Sequence, residues 1–277
     1  MFLLFQRQIL IILCLIGFSV NSQAADTELR FGSVAMDTPV VMYKRLSPLT
    51  RYLSKELGQP VVLKLSPSMK AAIKEIASNK VEIAYLTPVA YIKAHAKGNA
   101  RILAKTVTNN QDSFKLMIVV KEDSPIKSVE ELFGKKFAFG DPAALLQRAV
   151  VVGSGLSLNK LDSFDFIGHY DNIARGVMRG FYDAGILKDT TAYKWEKKGL
   201  RILYSSDPLP PYNLAASSKI DDATFDKLKQ AFLKLDVNNE AHRKVIKSLD
   251  KKYDGFAATS DQEYDVIRQL TKPFEKQ

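Results

Sequence analysis

Short apolar runs alternate with amphipathic stretches along this chain, and this alternation constrains the fold more than any other feature of the sequence. The runs LRFGSVA (29–35), VVLKLS (61–66) and VEIAYLT (81–87) predict strands, and the segments 40–57 and 68–78 between them predict helices. Strands separated by single helices are typical of a parallel sheet, because parallel neighbours need a crossover connection. The first part of the chain therefore predicts an α/β lobe with helices on both faces.

The alternation restarts after a polar stretch. Residues 108–113 separate the runs ARILAKTV and FKLMIVVKED, a spacing that predicts a hairpin or a long turn. Further on, the chain alternates helix and strand patterns again in SVEELFG, KKFAFG, PAALLQRAVVVG, DSFDFIGH, NIARGVMRG and YDAGILK. We expect a second α/β unit here.

The segment LRILYSSDPLPPYNLAAS (200–217) predicts a return to the first lobe, because its Asp-Pro and Pro-Pro pairs interrupt regular structure between two extended stretches. We expect a first lobe at residues 25–119 and 207–277 and a second at 120–206. Two α/β lobes joined by two crossings form a hinged clamp that holds a ligand between them. Two rigidly packed domains without a ligand are the alternative. The tail predicts a helix capped by Asp221 or Asp222.

The N-terminus predicts an export signal over residues 1–24. Arg7 precedes the apolar run ILIILCLIGFSV, and Ser22-Gln23-Ala24 is a small-residue cleavage pattern, which indicates cleavage after Ala24 and a periplasmic protein. The run is shorter than the roughly twenty residues that span a bilayer, which disfavours the alternative of an uncleaved anchor. The only cysteine, Cys14, lies in this segment without the small residue that precedes a lipidated cysteine, so the mature chain has no thiol chemistry.

Charge and motifs exclude several classes of function. The formal net charge is +10, but bases alternate with acids and no basic block with interleaved aromatic residues occurs, which argues against nucleic-acid binding. A basic surface is compatible with an anionic partner or a membrane surface. The three histidines lack metal-ligand spacing, and VGSGLS and ELFGKK lack the frames of a serine nucleophile or a phosphate loop. We expect no metal, no cofactor and no enzyme.

The stretch GDPAALLQR predicts a helix start at the second lobe's side of the cleft. Asp141 can cap the first N–H groups and Pro142 suits the first turn. A helix start in a cleft is a candidate anion site. However, Ala143, Ala144 and the two leucines after them supply no hydroxyl and no charge.

Two other strand ends carry candidate ligand contacts. FIGHYDN places His169 and Asp171 between a strand and a helix, although an N-cap role for Asp171 and a wall position for His169 explain them equally well. AYLTPVAY places Thr87 as a helix cap in the first lobe with Tyr91 one turn later, although core packing is the alternative for the tyrosine.

The order of these motifs resembles the substrate-binding proteins of phosphonate, phosphite and phosphate-like ABC importers. The matching segments are RLSPLTRYLSKELGQPV, KVEIAYLTPVAY, VVKEDSPIKSVEELFGKKFAFGDP, FIGHYDNIARGVMRGFYDAG and FAATSDQEYDVIRQL. The resemblance implies a type II periplasmic binding protein fold, in which each lobe is a mostly parallel sheet flanked by helices. It also implies a small-molecule ligand, an inner-membrane permease and an ATPase as partners, and we expect a monomer.

The departures from the family pattern concern the ligand site. A Ser-Thr-Ser run that holds the oxyanion in phosphonate binders falls on Ala144, Leu145 and Leu146. Two aromatic hydroxyls fall on Met69 and Leu86, and an acidic residue is replaced near Tyr212; only His169 carries over. Because each hydrogen bond to a charged group contributes about 1.5–3 kcal/mol, this loss disfavours tight phosphonate binding.

We therefore expect an apolar cleft that binds a ligand with an apolar or aromatic part. The ligand's anionic end would be held by N–H groups near Ala143 and Ala144, by Thr87 or by His169. The sequence leaves three alternatives open: a sensing module for a membrane kinase, an oxyanion binder that uses backbone N–H groups, and an enzyme on the same fold.

Overall fold

A computed structural model of the chain describes residues 28–34 and 36–275. The predicted export signal, residues 1–24, lies outside the described residues. Within the described part, no helix combines the length and the apolar character that a membrane span requires.

The first sheet contains six strands. They are β1 (Leu29–Ser33), β2 (Val61–Leu65), β3 (Ile83–Leu86), β4 (Arg101–Thr108), β10 (Asn213–Ala216) and β11 (Tyr253–Ala257). Their order in the sheet is β11-β4-β10-β3-β1-β2. Strand β1 is parallel to both of its neighbours, so that Phe31 lies opposite Leu63 on one side and Ile83 on the other.

Five helices accompany this sheet: α1 (Pro39–Leu57), α2 (Met69–Ala77), α3 (Pro88–Gly98), α7 (Asp222–Leu233) and α8 (Glu240–Leu249). Helix α1 covers nearly the predicted range, and its C-cap is Gly58, whose left-handed φ of 69° is favoured in a residue without a Cβ. Asp221 caps α7 by accepting the Thr224 N–H at 2.9 Å, as one of the two predicted caps.

The second sheet contains β5 (Leu116–Lys121), β6 (Lys136–Phe139), β7 (Ser163–Phe166), β8 (Ala184–Lys188) and β9 (Leu200–Ser205), in the order β7-β6-β8-β5-β9. Its helices are α4 (Leu145–Gly153), α5 (Tyr170–Met178) and α6 (Asp189–Glu196). The buried aliphatic residues of β5 alternate between two apolar clusters, one beneath α4 and one beneath α5 and α6. The second α/β unit is therefore present, and the two-lobed fold class predicted from the sequence is confirmed.

Two extended crossings, residues 109–115 and 206–212, connect the sheets. They pair with each other, because Phe114 and Leu209 exchange backbone hydrogen bonds of 3.0 and 2.8 Å. Strands β4 and β5 belong to different sheets, so the hairpin, one of the two predicted connections, is wrong. The polar stretch instead begins with a turn, in which Thr108 and Gln111 exchange backbone hydrogen bonds of 2.8 and 2.9 Å, and continues as the crossing.

Each crossing also places a reversed strand inside the other sheet. Strand β5 is antiparallel to β8 and β9, and β10 is antiparallel to β3 and β4. Both sheets are therefore mixed, with four strands in each pointing the same way.

The C-terminal helix α9 (Asp265–Thr271) packs on both lobes, against α3 in the first and α4 in the second. Its approach to α4 is close, since a Cβ on Gly153 would lie 2.7 Å from a methyl carbon of Leu270. The lobe boundaries at residues 119/120 and 206/207 stay a prediction.

Candidate functional site: a cavity between the two lobes

A cavity of about 310 Å³ lies between the lobes, next to the crossings. Both lobes and both crossings contribute to its lining. The lining residues are Met36, Met69, Thr87, Pro88, Val89, Phe114, Leu116, Asp141, Ala143, Ala144, Leu145, Leu146, Gln147, Tyr170 and Tyr212.

The first lobe's wall consists mainly of two helix starts that follow parallel strands. Met69 opens α2 after Ser68, whose hydroxyl accepts the Ala71 N–H at 3.1 Å. Thr87 caps α3 in the same way, since its Oγ1 accepts the Ala90 N–H at 3.1 Å. Because β1, β2 and β3 are parallel, the segments after β2 and β3 meet at one edge of the sheet. The predicted capping role of Thr87 is therefore observed next to the cavity.

The second lobe's wall is a turn followed by a helix, and here the predicted helix start is wrong. Helix α4 begins at Leu145, three residues after Pro142. Asp141 instead closes a turn: its Oδ1 accepts the Ala143 N–H at 2.7 Å and its carbonyl accepts the Ala144 N–H at 2.9 Å. The helix cannot extend back to Pro142, because the ψ of 65° at Ala144 lies outside the helical range.

This turn reduces the number of free backbone N–H groups that the wall can donate to a ligand. The N–H groups of Ala143 and Ala144, which the sequence suggested for an anion, already have acceptors within the turn. The N–H of Leu145 also reaches a carbonyl, that of Ala143, at 2.9 Å. The backbone of this segment is therefore a weaker anion site than a free helix N-terminus.

Gln147 holds the turn in place. It is 6% exposed, and its Oε1 accepts the N–H of the buried Gly140 at 2.7 Å. The Gly140 carbonyl in turn accepts the N–H of Gly168 at 3.0 Å, so the ends of β6 and β7 are joined at this point. Gln147 is not among the predicted site residues, although an amide within the apolar helix LLQRAVVVG is an available signal.

Tyr170 is another lining residue that is not among the predicted site residues, although its neighbours His169 and Asp171 are. It opens α5 beside the cavity. Burial raises the pKa of Tyr170 to about 12, and a hydrogen bond with the Gln147 side chain offsets part of that rise. The hydroxyl is therefore protonated at neutral pH.

Tyr212 brings a third aromatic ring, beside those of Phe114 and Tyr170, to the cavity from the returning crossing. Its ring stacks on that of Tyr85, with centroids 5.3 Å apart and an interplanar angle of 24°. Tyr85 is buried, and its hydroxyl pairs with that of Tyr253 at 2.6 Å. Burial raises the pKa of Tyr212, with Arg45 acting in the opposite sense. The Tyr212 side chain is thus held by the first lobe's core.

Six of the ten residues selected from the sequence line the cavity, namely Met69, Thr87, Ala143, Ala144, Leu145 and Tyr212. The other four lie elsewhere. Leu86 is buried in β3, and Tyr91 is buried with its hydroxyl donating to Asp261 Oδ1 at 2.7 Å.

His169 is exposed at the N-cap position of α5, without a side-chain capping bond. Asp171 lies in the first turn and is not the cap; its Oδ1 accepts from Trp195 Nε1 at 2.7 Å and Lys194 Nζ at 2.9 Å. These two hydrogen bonds, that of Trp195 first, lower the pKa of Asp171. Its carboxylate therefore connects α5 to α6.

The lining is chemically simple. Ten of its residues are Met, Pro, Val, Phe, Leu or Ala, and among the described lining residues Asp141 has the only formal charge. Hydroxyl groups come from Thr87, Tyr170 and Tyr212, and an amide comes from Gln147. Within residues 28–34 and 36–275, no group of three or more His, Cys, Asp or Glu side chains is arranged to hold a metal ion. Such a surface can bind an apolar body and orient it with a few hydrogen bonds.

Comparison with known proteins identifies the family. Residues 31–264 match the family model described as ABC transporter, phosphonate, periplasmic substrate-binding protein. The phosphonates-binding periplasmic protein of Escherichia coli (strain K12) is 23% identical over 266 residues, covering 90% of this chain and 78% of that protein.

Two solved structures show the same fold at low sequence identity. PhnD1 of Prochlorococcus marinus (MIT 9301), solved with methylphosphonate, superposes with a TM-score of 0.70 at 18% identity, covering 91% of this chain and 100% of that chain. A Xanthomonas citri protein bound to ATP gives a TM-score of 0.74 at 18% identity, covering 90% and 97% of the two chains. The two-lobed fold with its two crossings is the one that these solved structures have, in agreement with the family match. The chain therefore belongs to the phosphonate-type periplasmic substrate-binding proteins of ABC transporters.

Proposed function

We propose that this protein captures a small organic solute with an apolar or aromatic part in the interlobe cavity and delivers it to an ABC importer. The observation that carries the proposal is the lining itself, in which ten of fifteen residues are apolar. Burial of apolar surface contributes about 25 cal/mol per Å² and is the main attraction that such walls can supply.

The same lining disfavours phosphonate as the preferred ligand. A phosphonate needs several donors directed at its oxygens, and each hydrogen bond to a charged group is worth about 1.5–3 kcal/mol. Ala144, Leu145 and Leu146 have no hydroxyl, and the N–H groups of Ala143 and Ala144 are engaged by Asp141. The exposed carboxylate of Asp141 repels a second negative charge at this wall.

The family implies a permease and an ATPase as partners of this binding protein. The alternative partner, a membrane sensor kinase, rests on the sequence alone and stays a prediction. The structures of the relatives do not indicate one solute for this chain, since one was solved with methylphosphonate and another with ATP.

A thermal-shift screen of unfolded and refolded protein tests the proposal, because refolding removes any ligand carried through purification. A bound ligand at a hundredfold excess over Kd stabilises the folded state by about 2.7 kcal/mol. We expect shifts from small aromatic or branched organic solutes and smaller ones from methylphosphonate, phosphite and phosphate. The reverse ranking would show that the cavity is an oxyanion site.

A pair of variants tests whether the solute binds in the cavity. Ala144→Phe inserts a ring into the lining and should abolish the shift. Ala223→Phe makes the same change on the exposed first turn of α7 and should leave the shift as in the wild type. Equal shifts in both variants would show that the solute binds elsewhere.

A further inference from the structure

Lys188, the last residue of β8, lies on the cavity side of the second sheet. In the antiparallel pairing of β5 with β8 it is directly opposite Leu116, which lines the cavity. Directly opposed residues in an antiparallel pair point to the same face. The preceding residue, Leu187, belongs to the apolar cluster on the opposite face, as the alternation of side chains requires.

The ammonium group of Lys188 is placed beside the lining. Its Nζ lies 4.9 Å from the centre of the Phe114 ring, and Phe114 lines the cavity. Lys188 is only partly exposed, and burial lowers its pKa, with Asp189 acting in the opposite sense. A lysine side chain is flexible, so the ammonium can turn from the ring towards a ligand.

This ammonium has no ionic partner within residues 28–34 and 36–275, where the two acids that influence it are otherwise engaged. Both oxygens of Asp189 accept backbone N–H groups, those of Lys115 at 2.8 Å and Thr190 at 2.6 Å. Asp250 accepts the N–H of Lys252 at 2.8 Å. A partly buried cation that lacks a carboxylate is unfavourable, and an aromatic ring compensates for only part of that cost.

Charge is therefore distributed unevenly around the site. Asp141, in the turn before α4, is exposed and negative, whereas Lys188, near the crossings, is positive and partly buried. A ligand with one negative end is stabilised when that end faces Lys188 and its apolar body lies between the walls.

We propose that Lys188 binds the anionic end of the ligand and makes the site select singly charged organic anions that carry an apolar body. The proposal rests on the proposed function, since it assumes that the cavity holds a solute. Lys188 balances one negative charge, whereas the described lining residues supply no cation and the Asp141 carboxylate disfavours a second negative charge.

The experiment compares anions with neutral molecules of nearly the same shape. The probes are phenylacetate, hexanoate and benzenesulfonate, each measured by calorimetry against its amide, with methylphosphonate as the anionic probe that lacks a large apolar body. We expect at least one anion to bind wild-type protein about ten- to a hundredfold tighter than its amide, and tighter than methylphosphonate.

Two lysine variants test whether Lys188 causes the preference for the anion over its amide. Lys188→Met should remove the preference for the anion and leave the affinity for the amide nearly unchanged. Lys198→Met is the matched control, because Lys198 also lies over an aromatic ring, that of Trp195 at 5.4 Å, but is exposed on the surface. It should bind both probes as the wild type does.

The outcomes separate this inference from the proposed function. If amides bind as tightly as their anions in the wild type, or if Lys188→Met retains the preference, the role of Lys188 is refuted while solute binding stands. If neither anions nor neutral solutes bind, both proposals fail.

Discussion

Replacing Gln147 with leucine tests whether one side chain holds the second lobe's wall of the cavity. The change keeps a similar volume but removes the acceptor of the Gly140 N–H at 2.7 Å. Gly140 is buried, so solvent cannot replace this acceptor.

The magnitude follows from this loss. A buried N–H without an acceptor costs about 1–3 kcal/mol, and the apolar leucine side chain offsets roughly 1 kcal/mol of that cost. We expect Gln147→Leu to lower the free energy of unfolding by about 1 kcal/mol.

Urea unfolding followed by tryptophan fluorescence measures this effect. The sequence has one tryptophan, Trp195, which lies in α6 of the same lobe as Gln147. Gln230→Leu is the control, because Gln230 is exposed in α7 of the other lobe and its loss should change stability by less than about 0.5 kcal/mol. If Gln147→Leu unfolds at the same urea concentration as the wild type, Gln147 does not hold the turn.

Three further predictions follow from the structure. Ala144→Ser combined with Leu145→Thr should raise the affinity for methylphosphonate about tenfold or more by calorimetry, and no gain would mean that this segment does not face the ligand. Glu82→Gln should lower stability by about 1 kcal/mol at pH 7, since the half-exposed Arg30 is partly screened by solvent. Burial disfavours the Glu82 carboxylate, but hydrogen bonds from Arg30 outweigh it and lower the pKa. The loss of stability in Glu82→Gln should therefore be complete above a pH of about 4.3, the pKa of Glu82 in the unfolded chain. It should disappear as the pH falls through the lower pKa of Glu82 in the folded protein, and urea unfolding at several pH values measures this change. Gly185→Ala should destabilise the second lobe by about 1–3 kcal/mol in the same urea assay, because the new Cβ would overlap the Ile173 side chain and lie 3.2 Å from the Ala138 carbonyl oxygen.

Much of the fold is predictable from the sequence, because its signals are local. Helix periodicity, the caps at Thr87 and Asp221, and the prolines near residue 210 act over a few residues and do not depend on distant partners. Together with the motif order, they predict two α/β lobes and the family.

The candidate site is less predictable, because burial and pairing depend on distant segments. Thr87 directly follows β3 and Tyr212 directly precedes β10, so the sequence pattern was enough to predict that both lie at the cleft. Tyr91 and His169 occupy similar positions in the sequence, but one is buried against Asp261 and the other faces solvent.

The sequence by itself determined which segments form strands and helices and which side chains are absent from the phosphonate pattern, because periodicity and residue type are local properties. Only the tertiary structure decided that Asp141 closes a turn, that Gln147 supports it, and that Lys188 lies beside Phe114 with no ionic partner in the described part of the chain. The contact between Lys188 and Phe114 arises because the first crossing inserts β5 into the second sheet beside β8, so that residues far apart in the chain become neighbours. The bonds of Asp141 and Gln147 depend instead on the backbone conformation of residues 140–147, which residue type alone does not fix.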